Sequence, residues 1–349
     1  MKQQILSGAL ALCLLLCVVL SGCSYDKLER YTAYSFDYFD TATTIIGYAD
    51  NKEAFDKVAD RILSELKEYH QLYTIYHRFD GLENLCTVNE LVDGAHRTVT
   101  VDRRIIDLLL YAKEMYTLTN GRVNIAMGSV LSLWHEHRTV GMDNPAVATL
   151  PSLSKLQEAS AHTDIEKMII DEEKSTVTLL DEKMTLDVGA IAKGYATERV
   201  ARMLEDEGVE GYVLNVGGNV RTIGTKPDGE WWTVGLEDPT NTEEQIAHLS
   251  LSGQSLVTSG SYQRYYVVNG ERYHHIIHPD TLMPATGYLS VSVICEDSGL
   301  ADALSTSLFC MPLNEGLALI ESIPNAEALW VGESGEQTVS SGWDVYVKE

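Results

Sequence analysis

Residues 186–218 read LDVGAIAKGYATERVARMLEDEGVEGYVLNVGG, and this stretch decides the fold. Its pattern predicts a short strand that ends on Asp187, a turn at Gly189, a helix that ends near Gly208, and a second strand that closes on a pair of glycines. Glycine lets the backbone turn sharply and come close to a ligand, and a helix that begins after such a turn leaves free N–H groups there. The stretch therefore predicts a strand–turn–helix–strand unit that a ligand can approach closely.

The composition indicates a folded, acidic protein. The chain has 349 residues, of which 45% are hydrophobic, enough for the core of one large domain or two ordinary ones. Lysine and arginine number 26 against 51 aspartates and glutamates, which gives a formal net charge of -25. Because affinity for phosphate backbones and anionic lipid surfaces rests on basic contacts, neither nucleic acid nor such a surface is expected as the main partner. A diphosphate ligand would need a cation or aimed backbone N–H groups to offset this charge.

The N-terminus carries the features of an export signal. A basic residue is followed by a nearly apolar run over residues 5–20, which is too short for a confident membrane-spanning helix. The run ends in the sequence LSGC at residues 20–23, which resembles a bacterial lipobox, in which the cysteine is acylated and becomes the mature N-terminus. An ordinary signal peptide or an anchor helix that contains a cysteine is the alternative.

The lipobox leads to three expectations about the N-terminal region. Residues 1–22 are predicted to be a lipoprotein signal peptide, and Cys23 is predicted to carry the lipid anchor, palmitate among its acyl chains. Residues 23–37 are predicted to be a tether. The mature protein would then be a globular body held by lipid at the extracytoplasmic face of the cell membrane.

Three cysteines lie beyond the signal and the lipid site, namely Cys86, Cys295 and Cys310. Their scattered positions give neither a disulfide framework nor the spacing of a zinc site. Burial in the packed interior is the expected role of each.

Hydrophobic periodicity predicts the remaining elements. Helices are predicted over residues 52–69, 102–118, 124–134, 152–159, 300–309 and 314–321. Strands are predicted over residues 38–48, 168–170, 176–180, 184–186, 233–236, 247–251, 255–257, 264–268, 273–277 and 289–295. Asn269-Gly270 is a strong hairpin signal. No internal repeat or linker-like segment interrupts the pattern, so residues 38–349 are predicted to form one α+β body with a mixed, mainly antiparallel sheet flanked by helices.

Two oxygen-bearing side chains suggest a cation site. Asp302 and Thr306 are four residues apart in a predicted helix, so their side chains share one face. Carboxylate and hydroxyl oxygens are ligands that Mg²⁺ prefers, and Mg²⁺ completes its octahedron with phosphate oxygens and water. The turn at Ala190 adds a backbone carbonyl if the fold brings it there. The alternative is that Asp302 caps the helix and Thr306 packs in the core.

Histidines and small polar residues supply further candidates. Strand alternation places His275 on the face opposite His274 and His278, and a histidine near a phosphate and a metal can act as a general base. Each of the three could equally be a satisfied core histidine. The sequence HEH at residues 135–137 invites a metal site, but on a helix its two histidines point to different faces. Residues 258–260 form a small polar turn suited to hydrogen-bonding an anion or the edge of a ring.

Five ordered blocks resemble those of one protein family. The blocks are DVGAIAKGYATERV, LNVGGNVRTIG, VTSGSYQRYY, HHIIHP and ADALSTSLF. In that order and spacing they resemble the ApbE family, the FAD:protein FMN transferases, from about Phe39 to the C-terminus. Members of that family are typically lipoproteins or secreted proteins, which agrees with the reading of Cys23.

The resemblance implies a specific reaction. Such enzymes bind FAD with Mg²⁺, transfer the FMN half through a phosphoester bond to a threonine or serine hydroxyl of a target flavoprotein, and release AMP. The expected partners are FAD and an acceptor flavoprotein of a membrane or extracellular electron-transfer system. Two alternatives stay open: an FAD pyrophosphatase, which gives FMN and AMP when water attacks, and a lipoprotein that binds FAD without turnover.

The resemblance also implies the metal ligands and the catalytic residues. Asp302 and Thr306 match the family's metal ligands through their side chains, and Ala190 matches the ligand that binds through its carbonyl. His275 matches the histidine before the family's Ile-x-Asp-Pro motif and is expected to assist the attacking hydroxyl. Asp302 and His275 are the catalytic residues that this resemblance implies.

Contacts with FAD follow from the same blocks. Lys193 matches a flavin-nucleotide contact, Tyr76 an aromatic residue beside the flavin, and residues 122–124 the block that cradles the adenine end. That block departs from the family pattern, because residues 121–126 read GRVNIA in place of Gly-x-Phe-Asp-x-Thr. Phe39 and Thr41 occupy the place of a Met-Gly-Thr motif. The cofactor-binding residues expected on this basis are Phe39, Thr41, Tyr76, Arg122, Val123, Asn124, Lys193, Thr258, Ser259 and His275.

Overall fold

Helices and strands alternate along the chain in the computed structural model, which describes residues 28–348 apart from residues 93 and 97. The helices are α1 (Lys52–Tyr73), α2 (Leu85–Val88), α3 (Arg103–Leu118), α4 (Gly128–Asp143), α5 (Leu153–Ser160), α6 (Ala192–Asp206), α7 (Ser298–Phe309) and α8 (Leu313–Glu321). The first strands are β1 (Glu29–Ser35), β2 (Thr43–Ala49), β3 (Leu91–Val92), β4 (Ala95–His96), β5 (Val99–Thr100), β6 (Met168–Asp171), β7 (Thr176–Leu179), β8 (Tyr212–Val216) and β9 (Asn219–Ile223). The remaining strands are β10 (Trp232–Asp238), β11 (Asn241–Leu251), β12 (Ser255–Gly260), β13 (Tyr265–Val268), β14 (Glu271–His274), β15 (Tyr288–Cys295), β16 (Glu327–Gly332) and β17 (Gln337–Val339).

A central sheet of eight strands organises the body, in the order β1-β2-β8-β9-β12-β15-β16-β17. All of its described pairings are antiparallel. The prediction of an α+β body with a mainly antiparallel sheet is therefore confirmed. No parallel pair, which a mixed sheet would contain, is found in this sheet among the described residues. Helices α6 and α7 pack against each other and against strands β8, β9, β12 and β15. One buried hydrophobic cluster joins strands β2, β8 and β9 to helices α1, α3 and α6, and a second joins β15 and β16 to α7 and α8.

Two tight hairpins confirm the turns expected from a Gly-Gly and an Asn-Gly pair. Gly217 and Gly218 have φ angles of 59° and 92° and join β8 to β9. Asn269 and Gly270 have φ angles of 53° and 88° and join β13 to β14. Positive φ at both central residues gives a turn whose twist matches that of the flanking strands, and glycine or asparagine adopts it at little cost.

The prediction of a strand that ends on Asp187 is wrong. The backbone of this segment pairs with the side chain of Asn89 and not with a neighbouring strand. Asn89 accepts a hydrogen bond from the backbone N–H of Leu186 at 2.7 Å and donates one to its carbonyl at 2.9 Å. The N–H of Asp187 donates to the carbonyl of Ile125 at 2.7 Å. Leu186 and Asp187 thus find hydrogen-bond partners without belonging to a sheet.

The N-terminal edge of the sheet corrects the predicted tether over residues 23–37. Strand β1 pairs with β2 from Glu29 opposite Ala49 to Ser35 opposite Thr43, so residues 29–35 of that range belong to the sheet of the body. Cys23 and the predicted signal peptide lie outside the described residues. Within the described residues, no helix is long and apolar enough to span a membrane.

Residues 38–42 form a turn in place of the predicted first half of β2. Phe39 and Asp40 have φ angles of 56° and 50°, in the left-handed region that non-glycine residues seldom adopt. The backbone N–H of Phe39 donates to Nδ1 of His70 at 3.2 Å, which holds the turn against α1.

A buried ion pair joins three elements behind the site. Arg221 of β9 donates through Nε to Oε2 of Glu198 in α6 at 2.9 Å, and both residues are almost fully buried. The same carboxylate oxygen accepts the backbone N–H of Ser298, the first residue of α7, at 2.9 Å. Because a buried charge that loses its partner costs about 3–5 kcal/mol, this contact fixes the start of α7 relative to α6.

Two of the three cysteines are buried, as expected from the sequence. Cys295 and Cys310 are buried free thiols, whereas Cys86 is half-buried. Burial raises the pKa of the Cys295 thiol well above its usual value, so this residue is a neutral packing group.

Replacing Gly194 tests how closely α6 and α7 must approach. A Cβ atom at this position would overlap the carbonyl oxygen of Ser298 and the Cβ of Asp302. We expect Gly194→Ala to lower the free energy of unfolding by about 1–3 kcal/mol, measured by urea denaturation. The control is Gly316→Ala in α8, where the nearest atom to an added Cβ is a side-chain carbon at 3.2 Å and little change is expected. Equal stability of the Gly194→Ala variant and the wild type would contradict the prediction.

Candidate active site

A cavity of about 590 Å³ lies where α7, the turn before α6 and the end of β12 meet. This volume is within the usual range for small-molecule sites. Strand β12 pairs with β9 only as far as Val257 opposite Asn219, but it continues to Gly260. The space that a longer β9 would fill therefore belongs to the cavity, and residues 258–260 border it.

The cavity collects nearly all of the residues singled out from the sequence. The lining includes Thr41, Tyr76, Arg122, Val123, Asn124, Ala190, Lys193, Thr258, Ser259, His275, Asp302 and Thr306. Phe39 is the exception, because it packs edge-on against His70 with ring centroids 5.6 Å apart and is not among the lining residues. Its neighbour Asp40 lines the cavity in its place.

Asp302 and Thr306 face the cavity from one side of α7, as their spacing predicts. Oδ2 of Asp302 accepts the backbone N–H of Gly194 at 2.8 Å and lies 3.7 Å from Nζ of Lys193. The hydroxyl of Thr306 is hydrogen-bonded to that of Ser259 at 3.1 Å. The alternative that Asp302 caps the helix is wrong, because Asp297 is the N-cap and accepts the N–H of Leu300 at 2.9 Å.

This donor set fits a hard divalent cation. It offers one buried carboxylate, one hydroxyl and the carbonyl-bearing turn at Ala190, all on the same cavity. In the part of the chain that the structure describes, no cluster of three or more histidine, cysteine, aspartate or glutamate side chains has the arrangement of a metal site. A set this sparse suits Mg²⁺, which takes few protein ligands and completes its coordination with substrate phosphates and water.

His275 presents an unprotonated nitrogen. Its Nδ1 is 3.2 Å from the carbonyl oxygen of Arg264, and since a carbonyl only accepts, Nδ1 carries the proton and Nε2 has a free lone pair. Burial, and then the nearby guanidinium groups of Arg264 and Arg138, lower the pKa of His275 to about 3. The ring is therefore neutral at physiological pH and can accept a proton.

The predicted strand over residues 273–277 is too long, because β14 ends at His274. Strand alternation therefore does not determine which way the neighbouring histidines face. Nε2 of His274 bonds the carbonyl of Ala285 at 2.8 Å, and its ring packs edge-on against Phe309. His274 is thus a satisfied core histidine, whereas His275 borders the cavity.

The cavity is richer in basic groups than the chain as a whole. Its basic side chains are Arg122, Arg138, Lys193 and Arg264, and its carboxylates are Asp40, Asp187 and Asp302. Burial raises the pKa of Asp187, while the N–H of Gly189, donated to its Oδ1 at 2.8 Å, opposes that rise. In a protein of net charge -25, this concentration of positive charge gives an anionic ligand a favourable site.

An aromatic pair marks the mouth of the cavity. The rings of Tyr76 and His135 are stacked, with centroids 5.2 Å apart and an interplanar angle of 29°, and Tyr76 is 52% exposed. Burial and the charge of Arg138 lower the pKa of His135, which favours its neutral, stacking form. His135 was considered from the sequence only as a metal ligand, and no local pattern marked it, Arg138, Arg264 or Asn219 as residues of this site.

Known proteins are similar to this chain in sequence. The sequence model described as the ApbE family matches residues 38–330, well over half of the chain. The chain belongs to the ApbE family. A Klebsiella pneumoniae (strain 342) protein named FAD:protein FMN transferase is 33% identical over 288 residues, which cover 82% of this chain and 85% of that one. A Treponema pallidum (strain Nichols) protein of the same name is 33% identical over 259 residues, or 70% of each chain.

A solved structure extends the likeness to the fold. The crystal structure of the ApbE protein from Thermotoga maritima superposes with a TM-score of 0.79 at 30% identity, covering 92% of this chain and all of the other. The likeness covers the fold over nearly the whole described chain.

The titration of His275 tests the electrostatics of the site. Its folded-state pKa of about 3 lies below the ordinary value of 6.5, so its contribution to stability is complete above about pH 6.5 and is lost as the pH falls toward 3. Ring NMR signals of the ligand-free protein should show a neutral imidazole down to about pH 5. Arg264→Met should raise this pKa, whereas Arg272→Met, at an arginine over the ring of Tyr265, should leave it unchanged. A wild-type pKa near 6.5 would refute the assignment.

Proposed function

We propose that this protein is a magnesium-dependent FAD:protein FMN transferase. It moves FMN from FAD to a threonine or serine hydroxyl of an acceptor flavoprotein and releases AMP. Two relatives at 33% identity carry the name FAD:protein FMN transferase, and alignment with them covers at least 70% of each chain. The observation that carries the proposal is that Asp302, Thr306, Ala190 and His275 line one cavity that also gathers basic side chains.

The residues of α7 and of the turn before α6 provide the cation site. Asp302 and Thr306 would hold Mg²⁺ through their side chains, and Ala190 through its carbonyl. The bound cation would neutralise charge on the diphosphate and on the leaving phosphate. The N–H of Gly194 keeps the carboxylate of Asp302 in one orientation, so the cation ligand is positioned before substrate arrives.

His275 then serves as the base for the acceptor hydroxyl. Its Nε2 takes the hydroxyl proton while the oxygen forms a bond to the phosphorus of FMN and the bond to the AMP oxygen breaks. Without substrate, burial and then the guanidinium groups of Arg264 and Arg138 lower the pKa of His275 and keep it a weak base. The negative charge of bound diphosphate offsets those cations and raises the basicity of His275 when substrate is present.

The two ends of the cavity hold the two ends of the substrate. The stacked pair of Tyr76 and His135 offers a flat surface for the isoalloxazine ring at the mouth. Residues 122–124 border the adenine end, where Arg122 is held by an ion pair with Asp280. Lys193, Thr41, Thr258 and Ser259 lie between them and contact the diphosphate region; Phe39 supports the turn that presents Thr41.

An in-gel fluorescence assay tests the proposed activity. The purified protein is incubated with FAD, Mg²⁺ and an acceptor flavoprotein that carries a modifiable threonine, and covalent flavin is read after denaturing electrophoresis. We expect labelling that EDTA abolishes and that Asp302→Asn reduces by about 100-fold or more. Asparagine at this position still accepts the N–H of Gly194, so the fold is retained.

The control for Asp302→Asn is Asp344→Asn, an exposed aspartate outside the cavity, which should label at the wild-type rate. Release of FMN and AMP without labelled acceptor would identify an FAD pyrophosphatase. FAD that binds but is never consumed would identify a binding lipoprotein, and either outcome would reject the transferase.

We also propose that the protein is a lipoprotein anchored through Cys23 at the extracytoplasmic face of the cell membrane, where its acceptor belongs to a membrane or extracellular electron-transfer system. The support is the sequence LSGC at residues 20–23. Cys23→Ser should move the protein from the membrane fraction to the soluble one and abolish incorporation of an alkyne-tagged palmitate. Cys86→Ser, the control, should retain both. Absence of label on the wild-type chain would contradict the anchor.

A further inference from the structure

The sheet wall of the cavity contains a buried amide without a hydrogen-bond partner. Asn219 is only 2% exposed, yet it lines the cavity. Among the described residues of the chain, its Nδ2 has no partner. A buried donor left unpaired destabilises the folded protein, and natural structures retain few such groups without a reason. Its position on the cavity wall indicates that a ligand supplies the missing acceptor.

The register of the sheet shows which way this amide points. Asn219 is opposite Val257 of β12 and opposite Val216 of β8. Residues that are directly opposite in neighbouring strands project from the same face of a sheet. Val257 packs in the cluster that contains Ala301 and Leu304 of α7, so the side chain of Asn219 lies on the face that α7 covers.

The same register places the amide near the proposed cation site. Ser259 is two residues beyond Val257 on β12 and therefore projects from the same face. Its hydroxyl is bonded to Thr306 at 3.1 Å and to Ser305 at 2.9 Å. Asn219 is the diagonal neighbour of Ser259, at a typical cross-strand distance of about 7–8 Å. A phosphate group bound to the proposed cation would thus be within reach of the amide of Asn219.

We propose that Nδ2 of Asn219 donates a hydrogen bond to a phosphate oxygen of the bound dinucleotide. This inference rests on the proposed function, because FAD supplies the diphosphate. A neutral donor suits the position. Lys193 already lies 3.7 Å from Asp302, and another cationic side chain would compete with Mg²⁺ for that carboxylate. An amide adds a directed donor to the phosphate without adding charge.

Thr43 provides a matched control on the same face of the sheet. It is opposite Val216, so it lies in the same row as Asn219, and it is 1% exposed. Its Oγ1 is also buried without a partner in the part of the chain that the structure describes. Thr43 is not among the lining residues of the cavity. Removing its hydroxyl should therefore change stability without changing ligand binding.

Two apolar variants separate a ligand contact from a structural role. Asn219→Leu and Thr43→Val each remove an unpaired polar group, so the Tm of the ligand-free protein should rise in both, by about 2 °C. Calorimetric titration in Mg²⁺ then measures the Kd for FAD, ADP and riboflavin. Asn219→Leu should weaken FAD and ADP by about tenfold or more and leave riboflavin unchanged, while Thr43→Val should alter none of the three.

A third variant tests the donor itself. Asn219→Asp keeps the shape of the side chain but replaces the donor with a carboxylate, so it should weaken ADP more than Asn219→Leu does. Wild-type affinity for FAD and ADP in Asn219→Leu overturns the inference, and so does an equal loss of affinity for riboflavin, which would place the amide at the flavin. A wild-type protein that does not bind FAD rejects the proposed function instead.

Discussion

The contact between Gly194 and Asp302 is the constraint on which the site depends. The N–H of Gly194 donates to the carboxylate of Asp302, and the missing side chain lets α6 and α7 approach until no Cβ would fit between them. The pair of Glu198 and Arg221 secures the same two helices at the start of α7. The position of Asp302, the proposed cation ligand, is therefore determined by backbone packing, which is more rigid than any arrangement of exposed side chains.

Charge is distributed unevenly in this protein, and the unevenness explains how an acidic chain accommodates a diphosphate. Surface carboxylates account for the net charge of -25, whereas the cavity gathers basic groups from elements far apart in sequence. Burial, and then two of these basic groups, Arg264 and Arg138, lower the pKa of His275 and so suppress its protonation. In the proposed reaction, ligand binding, cation binding and activation of the base would be coupled through one electrostatic field.

The sequence predicted the elements whose pattern is local. Helical periodicity located α1, α3 and α7, and glycine pairs located the hairpins. The strand before Asp187 was mispredicted because Asn89, 97 residues from Leu186, supplies its hydrogen bonds, and no local pattern reports such a partner. The family resemblance named twelve of the lining residues, but His135 and Arg138 join the cavity only through the packing of α4, which a single sequence does not show.

The early start of β1 would limit where a protein lipidated at Cys23 can work. Only residues 24–28 separate Cys23 from the first paired residue, Glu29. At about 3.5 Å per residue, an extended segment of that length spans roughly 20 Å, less than the diameter of the body it would hold. A chain lipidated at Cys23 is confined to a thin layer above the bilayer, and an acceptor must present its hydroxyl within that layer. Proximity to the membrane would then select the acceptor as much as the shape of the cavity does.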